Sequence, residues 1–163
     1  MEITQMLTHH WDAVKQIYEE GLATGNASFQ TSAPSREEWD LAHAARPRLV
    51  AIEGPTVLGW AAITPVSGRC VYAGVGEVSV YVSDAARGKG IGRQLLGALI
   101  EASEKENFWT LQSGIFPENK ASIAIHKACG FRMVGSREKI GKMNGIWRDT
   151  LLLERRSTRT GTA

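Results

Sequence analysis

The chain has 163 residues, a formal charge of +2 and two cysteines. That length suits one domain able to bury about two thirds of its unfolded surface without covalent staples, and so small a charge, with no basic block outside Arg155, Arg156 and Arg159, argues against a nucleic-acid binder. Cys70 and Cys129 lack ligand-like spacing, the histidines offer no ligand pair beyond His9-His10, and no apolar run suits a membrane span or signal peptide; a soluble cytoplasmic protein with reduced, buried thiols and no metal site is expected.

Thr8 can cap a first helix, in which Trp11, Val14, Ile17, Tyr18 and Leu22 recur at three- and four-residue steps and form one apolar face. Gly21 and Gly25 break that pattern, and Gly25-Asn26-Ala27-Ser28-Phe29 reads as a loop ending in an aromatic. Ser35 followed by Glu38 is a capping box, which predicts a second helix over 36–45 with Trp39 and Leu41 facing inward. Residues 49–52 and 57–63, joined by Glu53-Gly54-Pro55-Thr56, read as a hairpin. Residues 67–72 are irregular. A strand over 76–82 follows, with Glu77, Ser79 and Tyr81 on one side and Val78, Val80 and Val82 on the other.

Between this strand and a helix over 91–105 lies Arg87-Gly88-Lys89-Gly90-Ile91-Gly92. Alternate glycines permit backbone conformations closed to other residues, so successive N–H groups can turn toward one anion. The helix start brings its positive dipole end to the same point, and Arg87, Lys89 and Arg93 add charge. A dinucleotide fingerprint is excluded because Arg93 stands where its third glycine belongs, and a Walker loop because Gly88-Lys89 is followed by Gly90. An ordinary strand-to-helix turn fits the glycines alone about as well as a phosphate cradle.

The helix carries Ile91, Leu95, Leu96, Leu99 and Ala102 on one stripe. A strand over 109–115, a helix over 119–129 with Gly130 as its left-handed stop, and a hairpin of 131–139 with 147–153 turning at Asn144-Gly145 complete the order. Residues 157–163 read as a disordered tail after a single domain, 1–156. This order predicts an α/β fold of the α+β kind, a mixed sheet with helices on its faces.

Arg-Gly-x-Gly-x-Gly after a strand resembles the pyrophosphate loop of the GNAT acetyltransferase superfamily. The resemblance runs from the first helix to Glu154 and narrows to the phosphinothricin and methionine-sulfoximine N-acetyltransferase branch. It narrows on Gly25-Asn26-Ala27-Ser28-Phe29, Arg69 to Tyr72, Glu77-Val78-Ser79-Val80-Tyr81-Val82, Phe116 to Asn119 and Gly145-Ile146-Trp147-Arg148-Asp149. It implies a GNAT-like fold, with a central, mostly antiparallel sheet and helices on both faces, and a homodimer. It also implies acetyl-CoA as co-substrate, held by Val80, Tyr81, Val82, Arg87, Gly88, Lys89, Gly90, Ile91, Gly92, Arg93, Asn119 and Ser122. The acceptor it implies is a small amino-acid-like amine.

An ammonium has no lone pair with which to attack a thioester, so a base must take its proton. The resemblance gives that role to Glu77, directly or through water; spacing alone favours a strand glutamate turned to solvent. Burial beside the sheet would raise its pKa from about 4.3 toward the useful range. Asn119 and His126 lie about two helical turns apart on one face. The resemblance sets Asn119 on the pantetheine arm and His126 where a tyrosine commonly protonates the leaving thiolate, so His126 is an acid or a second candidate base. A plain N-cap also explains Asn119, and a structural histidine His126. For the substrate, the resemblance points to Arg69 and Tyr72, and Phe29 and Trp147 can wall its side chain, with Lys142 at the rim; packing or solvated surface explains the last three equally.

Cys70 and Cys129 lack a paired base, so direct attack in a ternary complex is expected rather than an acyl-enzyme. The sequence offers few cations near these motifs, which places methionine sulfoximine or sulfone ahead of phosphinothricin. Acetylation of a protein terminus or lysine, or a catalytically silent acyl-CoA-binding module, are the competing functions.

Overall fold

The central strands carry apolar residues on both faces, so the sheet must be covered twice. In the computed structural model, which describes residues 1–163, helices supply both covers. The elements in chain order are β1 (Glu2–Gln5), α1 (Trp11–Ala23), α2 (Arg36–Ala42), β2 (Arg48–Glu53), β3 (Thr56–Pro65), β4 (Val75–Val82), α3 (Ile91–Lys105), β5 (Thr110–Ile115), α4 (Lys120–Ala128), β6 (Arg132–Met143) and β7 (Ile146–Arg156). The seven strands form one sheet in the order β1-β2-β3-β4-β5-β7-β6. Every neighbouring pair is antiparallel except β4 with β5.

Strand β3 shows how alternation builds two cores. Trp60 and Ala62 pack with Val14, Ile17, Tyr18 and Leu22 of α1 and Trp39 of α2. Ala61 and Ile63 face the other way, into Leu95, Leu96 and Leu99 of α3, with Ile123 and Ile125 of α4 against them. Each fully buried leucine there contributes about 1.5–3 kcal/mol of transfer free energy. The mixed sheet with helices on both faces is the architecture the sequence predicts.

Several local expectations differ. The four-residue strand β1 was not anticipated; it extends the sheet by pairing with Leu49 to Ile52. Thr8 does not cap α1, because it lies in a 3-10 turn (Thr8–His10) that precedes the helix. There His10 Nδ1 accepts from the Leu7 N–H at 2.9 Å. Gly21 lies inside α1 instead of ending it: a Cβ there would stand 2.5 Å from Tyr81 Cδ2, so glycine lets the helix approach that ring. Helix α2 stops at Ala42, and Leu41 is 88% exposed rather than inward. Trp39 alone anchors that helix. Ser35 caps it as expected, its hydroxyl accepting from the Glu38 N–H at 3.2 Å.

Cys70 is exposed and Cys129 half-buried, so neither is the core thiol expected. The turn between β6 and β7 has Asn144 and Gly145 at positive φ, 50° and 79°, as their sequence predicts. The tail, expected to lack fixed structure, makes contacts as far as Gly161. Ser157 is buried with its N–H on Trp109 O at 2.8 Å, and Arg156 donates to Thr160 O at 3.1 Å. No helix is long and apolar enough to cross a membrane.

Candidate active site

The sheet splits at its centre. Strand β4 pairs with β3 from Gly76 to Val82, yet pairs with β5 only from Val75 to Glu77, after which the two parallel strands part. Val66 N–H donates to Val75 O at 3.2 Å and Ser83 N–H to Leu58 O at 2.8 Å. In an antiparallel ladder that phase turns residues 77, 79 and 81 toward β3. The C=O of Val78 and the N–H and C=O groups of Val80 and Val82 therefore face the gap, the Val78 N–H being used in the last pairing with β5.

Tyr81 is not one of the gap-facing residues. Its backbone pairs with Trp60, and its ring stacks on Trp60 at 5.0 Å between centroids and meets the Tyr18 ring at a tilt, 4.8 Å away. Burial raises the pKa of its hydroxyl. Of the three strand residues expected to hold the coenzyme, Val80 and Val82 line the gap, and Tyr81 anchors the strand to α1.

Beyond Val82 the chain turns through a 3-10 segment (Asp84–Ala86) into the glycine loop. Gly88 and Gly90 have φ of 78° and 77°, a region costly for residues with a Cβ, and Gly90 is the N-cap of α3. From Gly88 to Arg93 no backbone N–H finds a backbone acceptor; the ladder resumes with Gln94 N–H on Gly90 O at 3.2 Å. Six consecutive donors at a helix start, flanked by exposed Lys89 and Arg93, form an anion cradle. Arg87 turns partly away, pairing with Asp84 at 2.8 Å. Gly92 has a separate purpose. It is buried, and a Cβ would lie 3.2 Å from Ile125 Cδ1, so it permits close approach of α3 and α4.

Glu77 sits where β4 and β5 part, on the same side of the strand as Tyr81, with Gln112 Nε2 donating to its Oε1 at 3.3 Å. It is exposed, so the burial expected for it is absent: the last β4–β5 pair lies at the surface of the split instead of under a helix. Its β3 partner is Thr64, and the β3–β4 connection that follows carries Arg69 and Tyr72. Both are exposed, and the Arg69 guanidinium lies 5.7 Å from the Tyr72 ring centroid without a carboxylate partner.

Helix α4 aligns three expected residues. Asn119 is its N-cap, with Oδ1 accepting from the Ser122 N–H at 3.2 Å and Nδ2 donating to Asn26 O at 3.1 Å. Buried His126 places Nδ1 2.7 Å from Ser122 O, and a carbonyl there requires a proton on Nδ1. Its Nε2 is buried with no partner in the chain. Burial lowers the imidazole pKa, opposed by the bond to Ser122. A neutral ring with a free Nε2 lone pair is a proton acceptor near neutral pH rather than a standing acid.

Phe29 packs edge-on to Phe116 at 4.9 Å and against Gly141, which makes it a plug between the α1–α2 loop and β6. Trp147 is exposed, beneath Lys142 at 5.7 Å, and lines an open cavity of about 450 Å³. Gly25, Asn26, Glu118 and Arg148 share that wall. Arg148 was not singled out by sequence, although it lies inside a quoted motif. It donates to Gly25 O, to Asn26 Oδ1 at 2.9 Å and to Glu118 Oε2 at 3.2 Å. Only the acceptors, scattered over distant segments, reveal it.

Comparison with known proteins agrees with this geometry. Residues 11–131 match the family described as Acetyltransferase (GNAT) family. The chain is 35% identical over 149 residues to a phosphinothricin N-acetyltransferase of Alcaligenes faecalis, covering 88% of this chain and 76% of that one. It is 36% identical over 126 residues to an L-methionine sulfoximine/L-methionine sulfone acetyltransferase of Pseudomonas paraeruginosa, covering 74% and 72%. Among solved structures, a phosphinothricin acetyltransferase from Sinorhizobium meliloti in complex with AcCoA superposes with a TM-score of 0.88 at 27% identity, over 99% of this chain and 91% of that one. A ribosomal-protein-alanine N-acetyltransferase from Brucella melitensis does so with a TM-score of 0.88 at 30% identity, over 96% and 100%.

Proposed function

This chain belongs to the GNAT acetyltransferase family, and on that premise we propose that it moves the acetyl group of acetyl-CoA to the α-amine of a small amino acid such as methionine sulfoximine, methionine sulfone or phosphinothricin. The observation that carries this reading is the continuity of the split sheet with the anion cradle. The gap-facing groups of Val80 and Val82 lead to the N–H groups of residues 88–93, and Glu77 stands at the closed end. An extended pantetheine arm fits such a gap as a missing strand, with its pyrophosphate on the cradle and its thioester toward Glu77.

At that position Glu77, directly or through water, takes one proton from the substrate ammonium. Gln112 holds the carboxylate in place, and exposure lets the proton leave to solvent. The freed amine attacks the thioester carbonyl; the nitrogen of the adduct then gives up a second proton, to His126 Nε2 or to water, as the C–S bond breaks and the thiolate of CoA departs. His126, neutral at its Nε2, is the second candidate acceptor for the amine proton; once protonated, it can return that proton to the thiolate. An acyl-enzyme is disfavoured because neither Cys70 nor Cys129 has a base paired with its sulfur, and burial raises the pKa of the Cys129 thiol further.

Measured CoA release with a panel of amino acids, methionine sulfone, methionine sulfoximine, phosphinothricin and short peptides tests the reading. Turnover of the amino acids is expected. Turnover of peptides alone would transfer the function to protein termini, the reading favoured by the resemblance to the Brucella enzyme. Binding of acetyl-CoA without turnover of any amine would leave a silent module.

A further inference from the structure

Three segments distant in sequence meet at one guanidinium. The Arg148 side chain is 15% exposed, and it donates through Nη1 to Gly25 O and through Nη2 to Asn26 Oδ1 and Glu118 Oε2. Its carbon centre lies 3.7 Å from the Phe116 ring centroid. Asn26 is held a second time, because its carbonyl accepts from Asn119 Nδ2 at 3.1 Å. Asn119 in turn caps α4, whose Ser122 carbonyl accepts from His126. A continuous polar path therefore joins the β7 arginine, the α1–α2 loop and the helix that carries His126.

From this path we infer that Arg148 is a positioning residue for the amine: it fixes residues 25–29 against α4, so amine affinity depends on it and acetyl-CoA affinity does not. The inference rests on the proposed acetyl transfer, and it takes the open cavity lined by Gly25, Asn26, Arg148 and Trp147 as the side from which the amine is held. The β4 edge and the 88–93 cradle make no bond to Arg148, and Asn119 and Ser122, the expected coenzyme contacts on the path, reach it only through Asn26, while the cap that joins those two forms without it. Lysine cannot substitute. Three oxygen acceptors on two distant segments, with an aromatic face beneath, need a planar fork of fixed N–H donors, whereas an ammonium is a single point of charge.

The variants are Arg148→Met, which keeps apolar contact with Phe116, Arg148→Lys, which keeps the charge near Glu118, and Asn26→Ala, which removes one acceptor. Loss of hydrogen bonds to a charged group predicts an amine KM raised about 10–100-fold in both Arg148 variants. The kcat should stay within about threefold and the calorimetric acetyl-CoA Kd within about twofold. Hydrogen exchange of the amides of residues 25–29 in the free enzyme should accelerate. Asn26→Ala should show part of the effect and add little in the Arg148→Met background.

Rescue of the KM by Arg148→Lys would reduce the role to charge and overturn the inference. So would a fall in kcat at unchanged KM, the signature of less folded enzyme. Unchanged exchange at 25–29 alongside a raised KM would point to a direct grip on the substrate and would overturn it equally. If Arg148→Met does not fold, Arg148→Lys and Asn26→Ala carry the same readouts. If the parent enzyme turns over no amino acid, the functional reading fails by itself, and the exchange measurement still decides whether Arg148 orders the loop.

Discussion

Gln112 Nε2 donates to Glu77 Oε1 at 3.3 Å in the last residue pair that β4 and β5 share before they part. The bond aims the carboxylate at the place where the split begins. Glu77→Gln keeps the shape of the side chain and removes its basicity, so kcat should fall about 10²–10⁴-fold, the usual worth of a general base. Acetyl-CoA affinity should be unchanged. Turnover that survives the substitution across a pH series would transfer the role to His126 or to water.

Two glycines of the cradle should fail in different ways. Gly90→Val forces a β-branched residue to φ of 77° at the cap of α3, a strain of at least about 1–2 kcal/mol at the point where N–H groups converge. Acetyl-CoA binding should weaken strongly while the fold persists. Gly92→Ala meets Ile125 Cδ1 at 3.2 Å and should act through α3–α4 packing, lowering Tm by a few degrees, about 2–4 °C for each kcal/mol lost. Calorimetry of acetyl-CoA binding beside thermal melts separates the two; equal binding by folded Gly90→Val would remove the cradle from the site.

The stripes of α1 and α3, the Ser35 and Asn119 caps and the Asn144-Gly145 turn were legible because each depends on residues near one another in sequence. The strand Glu2–Gln5 was not, since its one strong apolar residue, Ile3, gives no alternation until β2 lies beside it. Leu41 has an inward period only if α2 continues, and the helix stops one residue later. Alternation in β4 separated its two side-chain faces correctly, yet could not tell which backbone groups a neighbour leaves unpaired. That difference divides Val80 and Val82 from Tyr81. The contacts of Arg148 span more than a hundred residues, beyond any local pattern.

His126 should make stability depend on pH. Burial lowers its pKa from 6.5, against the opposing bond to Ser122, so the unfolded chain binds more protons wherever pH lies between the folded and unfolded values. Its contribution is complete above about pH 6.5, declines as pH falls below that, and levels off once the folded imidazole is protonated. His43 and His10 are lowered as well, chiefly by burial, so His126→Asn should remove only part of the acid loss. Asparagine retains a donor for Ser122 O. Melts from about pH 8 to about pH 5 should show a shallower slope for the variant, and an identical slope would mean that His126 titrates alike in both states. In the same variant, kcat unchanged at every pH would leave His126 a structural group.

Substrate order follows from counting cations that are free to meet an anion. Arg148 is committed to Glu118, Gly25 and Asn26. Arg69 stands over Tyr72 without a carboxylate partner, and Lys142 stands over the Trp147 ring on the β6–β7 hairpin. One free guanidinium on the β3–β4 connection suits the α-carboxylate of an amino acid through two parallel N–H bonds. Phosphinothricin brings a second anion at its far end, which calls for a second cation that the β3–β4 connection does not supply. Methionine sulfone and sulfoximine are neutral there and need only donors, such as the Tyr72 hydroxyl and backbone N–H groups. The expected order of kcat/KM is therefore the sulfone and sulfoximine above phosphinothricin, with Arg69→Ala depressing all three by a similar factor. Phosphinothricin as the best substrate would mean that Lys142 or another cation reaches the head group. Loss confined to phosphinothricin in Arg69→Ala would place Arg69 at the head rather than at the α-carboxylate.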